Sequence, residues 1–151
     1  MDTTTRKGIT TVYKNMTPGH PERISQILGG LVLLDVTLAI TGFFFPRFWF
    51  LIFHGVEYVD PQALLPRTAA SWAAFALFQG IALKYWKVRP EWLAVVAGIR
   101  LSDMFTDWTY LALCQNATWF AKASLLTTSP ANAIIGWYLL KAYRGRSAHA
   151  H

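Results

Sequence analysis

Hydrophobic residues along this chain gather into four long stretches instead of alternating with polar ones. Residues 24–46 read ISQILGGLVLLDVTLAITGFFFP, with Asp35 the one ionisable side chain. Residues 68–83 read TAASWAAFALFQGIAL without a charge, and residues 92–114 are apolar apart from Arg100, Asp103 and Asp107. A fourth stretch runs from about 119 to 143, with Lys122 near its start and Pro130 inside it. At about 1.5 Å per residue, roughly 20 residues of helix cross a hydrocarbon core about 30 Å thick. A helix of a soluble bundle keeps one polar face, yet the first two stretches are apolar all round. The pattern predicts an all-α integral membrane protein, a four-helix antiparallel bundle. Its spans lie at about 24–46, 68–88, 91–114 and 118–143, between a cytoplasmic arm (1–23) and a cytoplasmic tail (144–151).

The connecting segments refine this frame. Residues 46–58 read PRFWFLIFHGVEY, too rich in Phe and Trp for a free loop, and predict a short interfacial helix between spans one and two. The link at 84–90 is short, so spans two and three are antiparallel neighbours. Pro18, Gly19 and Pro21 make residues 8–21 a poor helix, expected to lie along the cytoplasmic surface. In the fourth span Pro130 either opens a helix behind Ser129 or kinks a longer one. The kinked helix is expected, because some 14 residues from there to Tyr143 cover only about 21 Å. Gly29-Gly30 is expected to let another helix approach closely at the inner end of span one.

Charge then sets the orientation. The 151 residues are 15% charged and 54% hydrophobic, with a formal net charge of +6. Ten of the basic residues (Arg6, Lys7, Lys14, Arg23, Lys84, Lys87, Arg89, Lys141, Arg144, Arg146) fall on one side of the predicted spans. Three, Arg47, Arg67 and Lys122, fall on the other. Lys and Arg accumulate on the cytoplasmic side, so both termini are expected there, in a bacterial inner membrane. Tyr85, Trp86, Trp92, Trp137, Tyr138 and Tyr143 then mark the inner boundary; Trp49, Trp72, Trp108 and Trp119 mark the outer. No cleavable leader is apparent, so the first span is expected to be an uncleaved start-transfer helix. The basic residues are accounted for by topology and anionic lipid headgroups, so no nucleic acid is expected as a partner.

The candidate chemistry lies at membrane depth. Counted from the cytoplasmic ends, Asp35, Gln79, Arg100 and Asn132 all fall roughly 14 Å from the inner boundary. Arg100, Asp103 and Asp107 share one face of span three, and Tyr110 and Cys114 continue that stripe outward. Such a stripe faces the bundle interior, a cavity or a partner subunit, not lipid. One expectation is structural: Arg100 bonded to Asp103 within its helix and to Asp35 across the bundle, with Gln79 and Asn132 completing the donors and acceptors. The other is a site, since three acids around one Arg leave a formal excess of two negative charges. That site could relay protons or hold a cationic or hydroxylated ligand. The structural role is preferred, because the pairing within one helix already offsets most of the cost.

Elsewhere, one helical turn would bring His54 and Glu57 together as half of a metal or acid–base site, although a solvated pair at headgroup level explains them as well. His54 among Trp49, Phe50 and Phe53 could ligate a single-ligand pigment, whereas a bis-His haem finds no histidine in the spans. His149 and His151 are read as a frayed end, and Cys114, the sole cysteine, as a packing residue that excludes disulfides and multi-cysteine metal centres. Asn116-Ala117-Thr118 has the glycosylation pattern on the outer side, relevant in a eukaryotic host. No phosphate loop, nucleophile elbow, zinc-protease helix or family-specific motif is present. The expected function is a non-catalytic accessory or structural subunit of a larger membrane complex, surrounded by lipids and other membrane-protein subunits. The alternatives are a small membrane enzyme or binding protein for a lipid-like or quinone-like molecule, or a proton path through the Asp/Arg cluster. No resident metal or cofactor is expected beyond a bound lipid, quinone or pigment.

Overall fold

The computed structural model describes residues 21–147, which form five α-helices and no strand. The basic residues Arg6, Lys7 and Lys14, the expected surface arm and the His149/His151 tail lie outside the described residues. Helix α1 spans Pro21–Phe44, α2 Pro46–His54, α3 Leu64–Tyr85, α4 Glu91–Leu113 and α5 Trp119–Ser147. Among them α1 is the one long and apolar enough to cross a membrane by length and composition. The other long helices fall short because α3 carries Arg67, Gln79 and Lys84, α4 carries its Arg/Asp stripe, and α5 is interrupted by Ser, Thr and Pro.

Each boundary has a local cause. Pro21 opens α1, where its missing N–H is no loss, and Glu22 sits in the first turn against the positive end of the helix dipole. Pro46 does the same for α2, which ends at Gly55 in the left-handed conformation (φ 65°), its N–H closing onto the carbonyls of Phe50 and Leu51. Asp60 caps α3: Oδ1 accepts from Leu64 N at 2.9 Å and Oδ2 from Leu65 N at 2.8 Å. Thr118 caps α5 by accepting from Ala121 N. Helix α5 runs unbroken through Pro130.

The long helices pack as two antiparallel pairs, α1 with α3 and α4 with α5. Small residues set both contacts. A Cβ on Gly42 would lie 2.9 Å from Ala69 Cβ, and one on Gly136 would lie 2.8 Å from Leu101 Cγ and 3.2 Å from the Ala97 carbonyl. Gly29 and Gly30, expected to admit a neighbouring helix, have nothing within 4 Å of a built Cβ, so the close approaches occur elsewhere. The pairs join through one apolar core: Ile24, Leu28 and Leu31 of α1, Ala82 of α3 and the adjacent Trp86, Leu93, Val96 and Ala97 of α4, Leu139 and Ala142 of α5. All of these lie towards the chain termini, in one half of the structure. Trp86 is fully buried there, its Nε1 donating to Ser25 Oγ at 3.3 Å, with the Arg146 guanidinium 4.6 Å from its ring centroid. At the other end α2 bridges the pairs: Trp49 stacks on Phe53 and meets Trp72, while Phe53 meets Phe120 edge-on. Thr118 locks this bridge, its Oγ1 donating to Ile52 O at 2.6 Å and its N–H to Phe53 O at 3.0 Å.

Candidate functional site

Immediately above the apolar core lies a buried charged cluster built from three helices. Asp35 of α1, Gln79 of α3 and Arg100 of α4 are at most 2% exposed. Asp35 Oδ2 accepts two hydrogen bonds, from Gln79 Nε2 at 2.7 Å and from Arg100 Nη2 at 2.6 Å. Arg100 Nη2 also lies 3.2 Å from Asp103 Oδ2, one helical turn away, whose side chain is 19% exposed. One guanidinium nitrogen thus serves both carboxylates. The helix rotations follow from the packing. The small residues of α1 and α3 turn Asp35 and Gln79 to the same side, and Ala97 and Leu101 give α4 its contact with α5, leaving Arg100 free to reach across.

The remaining members of the expected layer join less closely. Asp107 is half-buried on the same face of α4, with no salt bridge among the described residues. Asn132 is half-buried on α5, and among the described residues no hydrogen bond ties its side chain to the cluster. It shares depth with Arg100, but the guanidinium points round α4 towards α1 and α3. Two buried atoms consequently have no partner among the described residues: Gln79 Oε1 and Arg100 Nε. Ser129, fully buried on α5 beside Pro130, reaches the Met104 carbonyl at 3.5 Å. The sequence did not single it out as a buried polar residue; the run of small residues around it, TTSPANA at 127–133, was the available signal.

His54 and Glu57 do not form a pair in one helix. Helix α2 stops at His54, Gly55 turns the chain, and Glu57 is exposed beyond it. His54 faces α4 instead: its Nδ1 lies 3.2 Å from the Tyr110 hydroxyl and 4.0 Å from Cys114 Sγ. Burial pushes His54 below the ordinary histidine range. With the ring neutral, its tautomer sets which of Tyr110 Oη and Nδ1 donates. No group of three or more His, Cys, Asp or Glu suited to a metal ion occurs among the described residues. The stripe on α4 therefore connects two sites, the buried cluster at Arg100 and the His54–Tyr110 contact at the far rim.

Chemically, the cluster can fix helix register and hold a further cationic or hydrogen-bonding group on its open side. Among the described residues, on the side of the chain termini it meets the apolar core of Ile24, Leu28, Leu93, Val96 and Leu139, all fully buried. Comparison with protein-family models, with curated proteins and with solved structures returns no match.

Proposed function

We propose that this chain is an integral membrane protein crossing the bilayer through α1, α3, α4 and α5, with α2 at the outer headgroup level, and that it serves as a non-catalytic accessory subunit of a larger membrane assembly. The observation that carries the membrane assignment is an inverted polarity. Leu33, Phe44, Leu77, Phe105, Leu113, Ile134 and Trp137 are 61% or more exposed, while Asp35, Gln79 and Arg100 are buried. Water favours the reverse arrangement. The short α2 has a strongly one-sided apolar face, as suits a helix lying in the headgroup layer. Arg23, Lys84, Lys87, Arg89, Lys141, Arg144 and Arg146 gather at the end of the structure where the described residues begin and end, which favours cytoplasmic termini in an inner membrane.

The accessory role rests on what the cluster does with its charges. Arg100 is engaged by Asp35 and Asp103, and the three-helix contact ties the two helix pairs together where apolar packing discriminates poorly. The exposed Phe44, Phe45, Phe48 and Trp119 at the outer rim offer aromatic surface of the kind that protein partners bury. The fully buried apolar layer beneath Arg100 weighs against a proton path through the molecule. Native mass spectrometry of the protein, extracted gently from its own membrane, tests the role. Co-purifying chains in a stable assembly are expected; a bare 17.0 kDa monomer overturns it. A second function, binding of a lipid-like or quinone-like molecule at Asp35, Arg100, Asp103 and Asp107, draws support from the unpartnered Gln79 Oε1 and Arg100 Nε.

A further inference from the structure

At the far rim the end of α4 meets the end of another helix. His54 closes α2 and Cys114 directly follows α4, 60 residues apart in sequence, and the ring Nδ1 lies 4.0 Å from Sγ. Both positions are fixed by backbone bonds. Thr118 ties down the carbonyls of Ile52 and Phe53 immediately before His54, Gly55 N–H closes onto Phe50 and Leu51, and Cys114 N–H bonds Tyr110 O at 2.8 Å. Cys114 and Tyr110 also edge a shallow, open hollow of about 530 Å³, walled besides by Phe105, Thr106, Thr109 and Leu113, so the sulfur is reached from outside the bundle. An imidazole nitrogen and a thiol sulfur thus share one accessible spot, set there by two separate helices.

We propose that His54 Nδ1 and Cys114 Sγ bind a soft monovalent metal ion, copper(I), between them. The separation fits such an ion. Bonds of about 2.3 Å to sulfur and about 2.0 Å to nitrogen, the lengths found for zinc, hold the two donors about 4.3 Å apart in a straight line and about 3.5 Å apart at a tetrahedral angle. The observed 4.0 Å falls between, so an ion of two or three ligands enters without backbone movement. The donor set then selects the metal. Thiolate with imidazole suits copper and zinc. Zinc completes a tetrahedron of four ligands, and the neighbourhood does not supply them. Asp60 commits both carboxylate oxygens to the start of α3, and Glu57 is exposed beyond Gly55. No group of three His, Cys, Asp or Glu suited to a metal occurs among the described residues. Copper(I), with a filled d shell, is satisfied by two soft donors. The Tyr110 phenol, a hard oxygen donor now 3.2 Å from Nδ1, yields that nitrogen to the ion and stays outside the coordination. On binding, Cys114 releases its thiol proton to solvent and the ring keeps its own proton on Nε2. The site stands apart from the membrane assignment and the accessory role, since both ligands and their spacing belong to the chain itself.

The test is an anaerobic titration of the full chain in mild detergent with copper(I), retention being read against bicinchoninate, a chelator of that ion. One copper(I) per chain is expected to resist the chelator, and X-ray absorption of the loaded protein is expected to show one sulfur and one imidazole nitrogen in the first shell. His54→Gln keeps the thiol and is expected to weaken retention by at least about tenfold, since even losses outside the first shell cost about 10–100-fold. Cys114→Ser is expected to abolish it. Failure of the unaltered protein to resist the chelator, or a first shell lacking either sulfur or nitrogen, overturns the proposal and requires no variant to fold. Retention undiminished in His54→Gln overturns it as adventitious capture by a lone thiol. Retention that survives Cys114→Ser overturns it as capture elsewhere on the chain.

Discussion

Arg100 and Asp35 meet at 2.6 Å across 65 residues of sequence, each almost wholly buried, and their contact ties the α4–α5 pair to the α1–α3 pair. Replacing Arg100 with Leu strands the Asp35 carboxylate with Gln79 as its sole hydrogen-bonding partner. The expected cost is about 3–5 kcal/mol, the usual penalty for an uncompensated buried charge. Adding Asp35→Asn is expected to recover much of it. Reversible unfolding in a denaturing detergent measures both variants; equal losses in the single and double variants would place the cost in the packing of the long Arg side chain.

The glycines separate into two kinds. Gly42→Ala drives a methyl to 2.9 Å from Ala69 Cβ and 3.3 Å from the Trp72 ring, and is expected to cost about 1–3 kcal/mol. Ala69→Gly in the same chain removes the opposing methyl and is expected to restore part of the loss. Gly29→Ala and Gly30→Ala meet nothing within 4 Å and are expected to stabilise α1 by about 0.5–1 kcal/mol each. Thermal unfolding of the four variants in one detergent decides whether the close contact lies where the structure places it.

At the start of α3, Asp60 and Ala63 act in opposite directions. Asp60→Ala removes both acceptors for Leu64 and Leu65 N–H and is expected to cost about 1 kcal/mol. Ala63 adopts φ 53°, a conformation that costs an L-residue about 1–2 kcal/mol, so Ala63→Gly is expected to stabilise by up to that amount. Opposite shifts in the unfolding midpoint are the readout.

His54 supplies a pH dependence with a definite sign. Its folded-state pKa lies below the ordinary value of 6.5, so the unfolded chain binds its proton first as the pH falls. The contribution of His54 is therefore complete above about 6.5 and is lost as the pH drops through the lower folded value. The difference in unfolding midpoint between wild type and His54→Gln is expected to shrink on acidification from pH 7. A difference that holds constant to pH 5 would show that the imidazole does not titrate in that contact.

The level of a residue along its helix was legible in the sequence, but rotation about the helix axis was not. Counting residues placed Asp35, Gln79 and Arg100 in one layer, and they bond there; Asn132 was placed by the same count and makes no bond to them. The difference is azimuth: Ala97 and Leu101 face α5, so the Arg100 side chain leaves α4 on another side. Residue-by-residue apolarity located the helices but missed which glycines are crowded, since crowding depends on the partner face that Ala69 or Leu101 presents. The end of α2 was readable, because a glycine directly after a helical run favours the left-handed stop seen at Gly55. Continuing the turn to Glu57 overlooked it. His54 and Tyr110 are 56 residues apart, and neither spacing nor composition joins them.

Synthesis runs from the N-terminus, so α1 and α3 exist before α4 is made. The first helix pair can close over Gly42 and Ala69 and bring Gln79 to Asp35, yet it then carries a carboxylate with no cation. Arg100 arrives only with the second pair. The acid is thus an address held open during assembly, and the arrival of one guanidinium reports that the later half of the chain has docked in register.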